Sequence, residues 1–426
     1  MKQAASLGAI SGLNILVAAL AQGYILVSIG PGFRTDALFA AAAVPQFLLG
    51  VVRVALVQVL VPFLAGESEE KIRRDTSTFW LATTALFTGL AVTGGWLAPV
   101  WVPLLFPGFS DQARALTVTL GRIQLASMVF TAAGSVLVAA YQARRRFLWS
   151  ILTPLLGDAA GLAVLVAALK PCGIIVAAWA VLASESLQVA LLLPALKFRP
   201  WPGYDFSALR DLWGRLRYLV LGNAYFKTDQ LVDRWLSSMT AAGGFSLFYL
   251  GQQGYGAANL VLGKALAVPA LPALAARAKA GRWPEFEFFF GRRLRWAAGL
   301  ACLGYAALVV AGRPALRLVI GHGAVTGQNV DLLWWLLVAL GGVWMAGAAG
   351  SITTAAYYAL GDTRTPTRLG IWTYTVYVPL KIVMFLRFGL IGLAVSSSVF
   401  FTANAMLQLW KLRLCVRRRS QYAAPG

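Results

Sequence analysis

Apolar runs of about 20 residues return along the whole chain, each long enough to cross the ~30 Å hydrocarbon core of a bilayer as a helix. Few folds accept such a pattern. Continuous runs in place of period-two alternation exclude a transmembrane barrel. The balance of residues agrees, with 59% apolar and only 12% charged, against about 25% charged in an ordinary soluble domain. The chain is therefore expected to be an all-α polytopic membrane protein. Twelve segments are predicted, near residues 5–28, 36–64, 77–105, 117–142, 148–169, 173–195, 214–238, 245–272, 293–312, 329–360, 366–386 and 389–412. Pro45, Pro62, Pro269 and Pro272 mark expected kinks in the over-long second and eighth segments.

The clearest punctuation lies at residues 355–368. One apolar run ends at Leu360 and another begins at Pro366. Gly361 suits the left-handed position just past a helix end. Thr365 is expected to cap the next helix and Pro366 to sit in its first turn. With Asp362 and Arg364, these residues form a tight, basic helical hairpin. Ala139–Tyr141 before Arg144, Arg145 and Arg146 repeats the device, and Val61-Pro62 pairs with Leu271-Pro272. Both pairs are roughly 210–216 positions apart. Each half then holds six segments, and that parity implies parallel repeats about an axis along the membrane normal. The expected organisation is a six-helix bundle over 1–196, a basic linker over 197–217, a second six-helix bundle over 218–414 and a basic tail over 415–426, the two bundles enclosing a central cavity.

Net charge is +21, which in a membrane protein reads first as topology. Counted by loop, 25 of the 37 Lys and Arg fall on one side and 6 on the other, with 6 inside segments. The positive-inside rule then places both termini in the cytoplasm. The cations are spread over many short loops, which argues against a nucleic-acid partner. His322 is the only histidine, and Cys172, Cys302 and Cys415 are scattered. No metal site, cofactor or catalytic constellation is expected, so the chain is not read as an enzyme.

Charges inside segments are expensive, at least ~2.5 kcal/mol each on insertion scales. The cations are Arg53, Arg122, Lys227, Arg234, Lys264 and Lys381; the acids are Asp158, Glu185, Asp229 and Asp233. Arg122 and Arg234 lie near segment ends and can snorkel. Aligning Pro62 with Pro272 sets Arg53 opposite Gly263, one residue from Lys264. Each half would send one cation in from its second helix, which suits a phosphate or pyrophosphate; unrelated local ion pairs are the plainer alternative. Asp229 and Asp233, four apart, share a helical face. They suit a coupling cation or the neutralisation of nearby lysines.

These stretches resemble the MurJ/MviN family of lipid II flippases, of the multidrug/oligosaccharidyl-lipid/polysaccharide exporter superfamily. The likeness runs through residues 30–39 with Pro45 and Pro62, through 231–234 with 245–249, and through 361–366 with 389–394. It implies transport of a polyprenyl-pyrophosphate-linked glycan, lipid II or a related cell-wall or exopolysaccharide precursor, across the bacterial inner membrane by alternating access. The partners would be that lipid-linked oligosaccharide and membrane lipids, with the chain a monomer. Arg53, Lys264, Lys227 and Gln252 would bind the pyrophosphate; Asp229, Asp233 and Lys381 would form a coupling site or internal ion pair. Some members join the segment-7 aspartate to polar residues of helix 11 at a sodium site, and here those positions read Tyr377 and Lys381. Ile15 and Ala21 replace arginines expected on the first helix, Leu49 or Gly50 one expected after Pro45, and Gln252 one expected after Tyr249. The family usually has fourteen helices, two more than are expected here. The alternative is a small-molecule or multidrug antiporter of the same superfamily. It would want an acid in the first half's cavity, and segments 1 and 2 offer none beyond Asp36. A membrane transferase acting on the same lipids would need a catalytic set that the sequence lacks.

Overall fold

A computed structural model describes residues 2–196 and 206–423. The chain forms α1 (Lys2–Ile29), α2 (Phe33–Ala41), α3 (Ala43–Leu64), α4 (Glu69–Trp96), α5 (Ala98–Leu105), α6 (Asp111–Ala143), α7 (Phe147–Cys172), α8 (Ile175–Leu192), α9 (Phe206–Ser237) and α10 (Gly244–Leu262). There follow α11 (Val268–Lys279), α12 (Trp283–Ile320), α13 (Gly327–Ala339), α14 (Gly341–Ala359) and α15 (Arg364–Ala423). Every expected segment falls on helix. Among the described residues, nine helical runs are long and apolar enough to cross a membrane, or ten if the bent pair α4–α5 is one span. The expected twelve follow only if α15 is divided at Gly389, where φ is 59°, and if α9 is counted. The eight charged residues of α9 keep it out of the nine.

Breaks come just ahead of the prolines. The second segment interrupts at Ala42, three residues before Pro45. The eighth opens into a wide π turn over Gly263–Ala267, before Pro269 and Pro272. A ring that cannot donate an amide and clashes with the preceding turn accounts for both placements.

Contacts divide the chain into two compact units, one ending at Ser246 and the other beginning at Leu247. In the first, Leu56, Leu60 and Leu64 of α3 pack with Phe79 of α4, Val136 and Ala140 of α6, and Leu212 and Leu216 of α9. So α9 lies along α3. Of the expected linker, 197–205 falls outside the described residues, and 206–217 is the start of α9. In the second unit, Leu274 of α11, Phe286 and Phe290 of α12 and Ile352 and Tyr357 of α14 close around Leu412 and Val416 of α15. Both tyrosines of the expected repeat are buried: Tyr141 against Val189 and Leu192 of α8, and Tyr357 beside Leu412 and Val416 of α15, its hydroxyl donating to the Gln408 carbonyl.

At the hairpin Gly361 has φ 74°, as a helix end closed by glycine requires. The cap differs from the expectation. Asp362, not Thr365, accepts the Arg364 and Thr365 amides at 3.1 and 2.9 Å. The helix starts earlier than expected, so Thr365 is its second residue and its amide needs an acceptor from upstream. Partial burial pushes the Asp362 carboxyl up. The hydrogen bonds from Thr365 and Arg364, with the Arg419 charge, outweigh that and hold it below the usual carboxylate range.

Candidate substrate site

In the first unit α9 lays its polar face on α3. Arg234 donates to the Gln46 side chain and is only 8% exposed. It is buried and bonded, where snorkelling was expected; Gln46, an uncharged acceptor on α3, makes that possible. Two turns earlier on α9, Lys227 reaches over Gly50. A Cβ at Gly50 would stand 3.1 Å from Lys227 Cε and 3.5 Å from Nζ. The lysine stem therefore fills space that any other residue at position 50 would claim. Arg53 lies three residues on from Gly50, hence on the same face of α3. Lys227 and Arg53 are thus brought to one side of a single helix.

Arg53 is exposed and its charge acts on Asp158 of α7 and Glu185 of α8. Asp158 in turn accepts from Ser184 Oγ at 3.0 Å. The helices carrying them pack tightly: a Cβ at Gly157 would come within 2.7 Å of the Ser184 carbonyl oxygen. Asp229 is half-buried and Asp233 buried on α9.

The second unit holds Gln252, half-buried on α10. Lys264 lies in the π turn, and its side chain is outside the described residues. Such turns recur at functional positions. Lys381 is fully buried, so it does not snorkel. Its ammonium sits 4.6 Å from the Tyr377 ring centroid, the geometry of a cation–π contact. Tyr377 is fixed by a 2.9 Å hydrogen bond to Ser397 and by stacking on Phe400.

One contact was not foreseen. Asp36 is buried and accepts the Gly243 and Ser246 amides at 2.6 and 2.8 Å. It satisfies free donors at the start of α10, where a carboxylate is favoured. Gly243 has φ 92°, and a Cβ there would meet Pro31 at 3.0 Å, so this corner requires glycine. Asp36 and Ser246 stood in two separate stretches of the family likeness, and nothing in either pointed to the other. Gly50 was legible only as a missing cation.

A helical fold of repeated apolar spans, with cations gathered at membrane depth in the first unit, defines a polytopic membrane protein. Among solved structures it is similar to a lipid II flippase MurJ in an inward closed conformation, with TM-score 0.82 and 17% identity over 98% of this chain and 90% of that one. It is also similar to an inward-facing multidrug resistance MATE family transporter of the MOP superfamily, with TM-score 0.81 and 12% identity over 98% and 96%. At such identities the likeness is one of fold. The family is shown by sequence: the chain belongs to the lipid II flippase MurJ family, whose model matches residues 26–422. A probable lipid II flippase MurJ of Bdellovibrio bacteriovorus is 25% identical over 251 residues, 55% of this chain and 46% of that protein. Its counterpart in Vibrio cholerae is 23% identical over 210 residues, 47% of this chain and 40% of that protein. The matched stretches thus span less than half the length of these curated relatives.

Proposed function

We propose that this multi-pass membrane protein is a flippase for a polyprenyl-pyrophosphate-linked glycan, lipid II or a close relative, working by alternating access in the bacterial inner membrane and catalysing no bond change. The observation that carries this reading, beside the family, is the seating of Lys227 over Gly50 one helical turn from Arg53. Two cations on one face of α3 match the two phosphates of a pyrophosphate, and guanidinium and ammonium are the usual ligands for it. Lys264 and Gln252 are the second unit's candidates for the same group. The substrate and membrane lipids are the partners, and the chain acts as a monomer. The test is rescue of a strain depleted of its lipid II flippase. Growth restored by the chain supports the reading, and lysis despite a normal level of membrane-inserted protein rejects it.

A second reading, export of a small organic cation, draws on Asp158 and Glu185, the first-unit acids that such a transporter wants. Energised efflux of cationic dyes by vesicles would favour it, and Arg53 beside both acids weighs against it.

Orientation follows the 25-to-6 division of cations, with both termini cytoplasmic. In a background with Cys172, Cys302 and Cys415 changed to Ser, Ala241→Cys should react with an impermeant thiol reagent in intact cells. Thr363→Cys should react only after lysis. Both positions are exposed, so the reverse pattern would invert the topology.

A further inference from the structure

The outer face of α12 carries charges that the transport reading does not use. This helix has 38 residues, about 57 Å at 1.5 Å per residue, far beyond the ~30 Å bilayer core. Between Arg295 and Arg313 lie 17 uncharged residues, about 25 Å. Each end of that stretch therefore stands at a membrane edge. The two edges are not alike. Arg313 and Arg317 are neutralised by Asp331, at 2.6 and 3.5 Å. Arg277 and Arg282 share Glu285. For Arg292, Arg293 and Arg295 no carboxylate partner occurs among the described residues. Arg293 instead lies over the Phe289 ring at 5.3 Å.

Below these arginines the surface is grooved. Arg292, Trp296 and Leu300, at successive i+4 positions, form one ridge. On one side a groove of about 620 Å³ passes Arg295, Gly299 and Leu303. On the other a groove of about 330 Å³ passes Leu266, Phe289 and Arg293. Gly299 leaves its side open, for a Cβ there would meet nothing within 4 Å. Trp296 is 59% exposed and Leu303 69%, so the ridge and one groove wall await cover.

We infer that this face binds one anionic diacyl phospholipid of the bilayer, its phosphate on Arg292, Arg293 and Arg295 and its two acyl chains astride the Trp296–Leu300 ridge. Three unneutralised guanidiniums at the headgroup level supply the attraction. Two apolar channels parted by a single row of side chains match two tails on one headgroup. A neutral lipid would leave the arginines without a counter-charge. The inference is independent of what the protein transports.

The test uses the full chain in phosphatidylcholine vesicles, with brominated phosphatidylglycerol or brominated phosphatidylcholine titrated over the same range of mole fraction. The protein has 15 tryptophans, so the Trp296 signal is taken as the difference between wild type and Trp296→Phe. Phosphatidylglycerol should quench it at about fivefold lower mole fraction, the preference one well-placed arginine confers. Arg292→Gln with Arg293→Gln and Arg295→Gln should abolish that preference, while quenching by brominated phosphatidylcholine persists and shows the helix still inserted. Equal quenching by the two lipids in wild type overturns the site, as does a preference that survives the triple substitution. Native mass spectrometry provides a second measure that needs no tryptophan variant. Wild type should keep one phosphatidylglycerol through delipidation and the triple variant none; equal retention also overturns it.

Discussion

The two units hold their membrane-depth cations in opposite ways. In the first, Arg53 is exposed, shares its field with Asp158 and Glu185, and stands beside Lys227 in the slot over Gly50. In the second, Lys381 is wholly enclosed and faces an aromatic ring that is itself locked by Ser397 and Phe400. An exposed cation at membrane depth is available to an arriving anion. An enclosed one can only set the field around it. Tyr141 and Tyr357 are both buried in their units, so the two units share a packed tyrosine while their cations differ in access.

The sharpest way to break this contrast is to remove the accessible charge. Arg53→Ala should lower flipping about 10- to 100-fold, the worth of a lost charge-assisted hydrogen bond to phosphate, with membrane insertion unchanged. Arg53→Lys should recover part of it. Measured as transport of a fluorescent lipid-linked substrate in vesicles, wild-type rates in Arg53→Ala would remove the first unit's claim to the pyrophosphate.

Next in size is the slot. Gly50→Leu should displace Lys227 and cost about tenfold, as much as Lys227→Ala, and the double variant should be no worse than either alone. Additive losses would mean that Gly50 and Lys227 act separately. Sequence reasoning could not reach this pairing. Gly50 reads as an empty place and Lys227 as one lysine among acids, and only the lie of α9 on α3 joins them. The broad fold was legible because bilayer thickness sets segment length and flanking charge marks each end. The Asp36 corner was not, because its two backbone partners are separated from it by some 200 residues and leave no local pattern. The cap at Asp362 was missed by three positions for a narrower reason: several polar residues in a row can each serve as a cap, and the start of the helix decides among them.

The second unit's side of the comparison is sharpened through Lys381. A Lys381 ammonium would stand in for a bound metal ion, so transport should proceed at an unchanged rate with sodium replaced by choline. Lys381→Asn should slow it a few-fold and render it sensitive to sodium. Here the readout is initial rate against sodium concentration in sealed vesicles. A wild-type requirement for sodium would end the account, because a fixed ammonium leaves no reason for one.

The smallest effect belongs to Asp362, at the hairpin outside the membrane. It accepts the amides of Arg364 and Thr365 at the start of α15, and losing such a cap costs about 1 kcal/mol. Asp362→Ala should therefore speed amide exchange at Arg364 and Thr365 about fivefold at pH 7 and leave transport untouched. Acid should erase the difference. The native carboxyl binds its proton less readily than an unfolded one, whose pKa is about 3.9. Its contribution is complete above that value and disappears as pH falls through the lower native one. Exchange measured at pH 7 and again near pH 3, corrected for the intrinsic rates, should show the gap between wild type and variant closing. No gap at pH 7 would mean that the turn is held by Gly361 and its backbone bonds alone, with Asp362 a bystander, and a gap undiminished in acid would mean that the protonated carboxyl caps as well as the carboxylate.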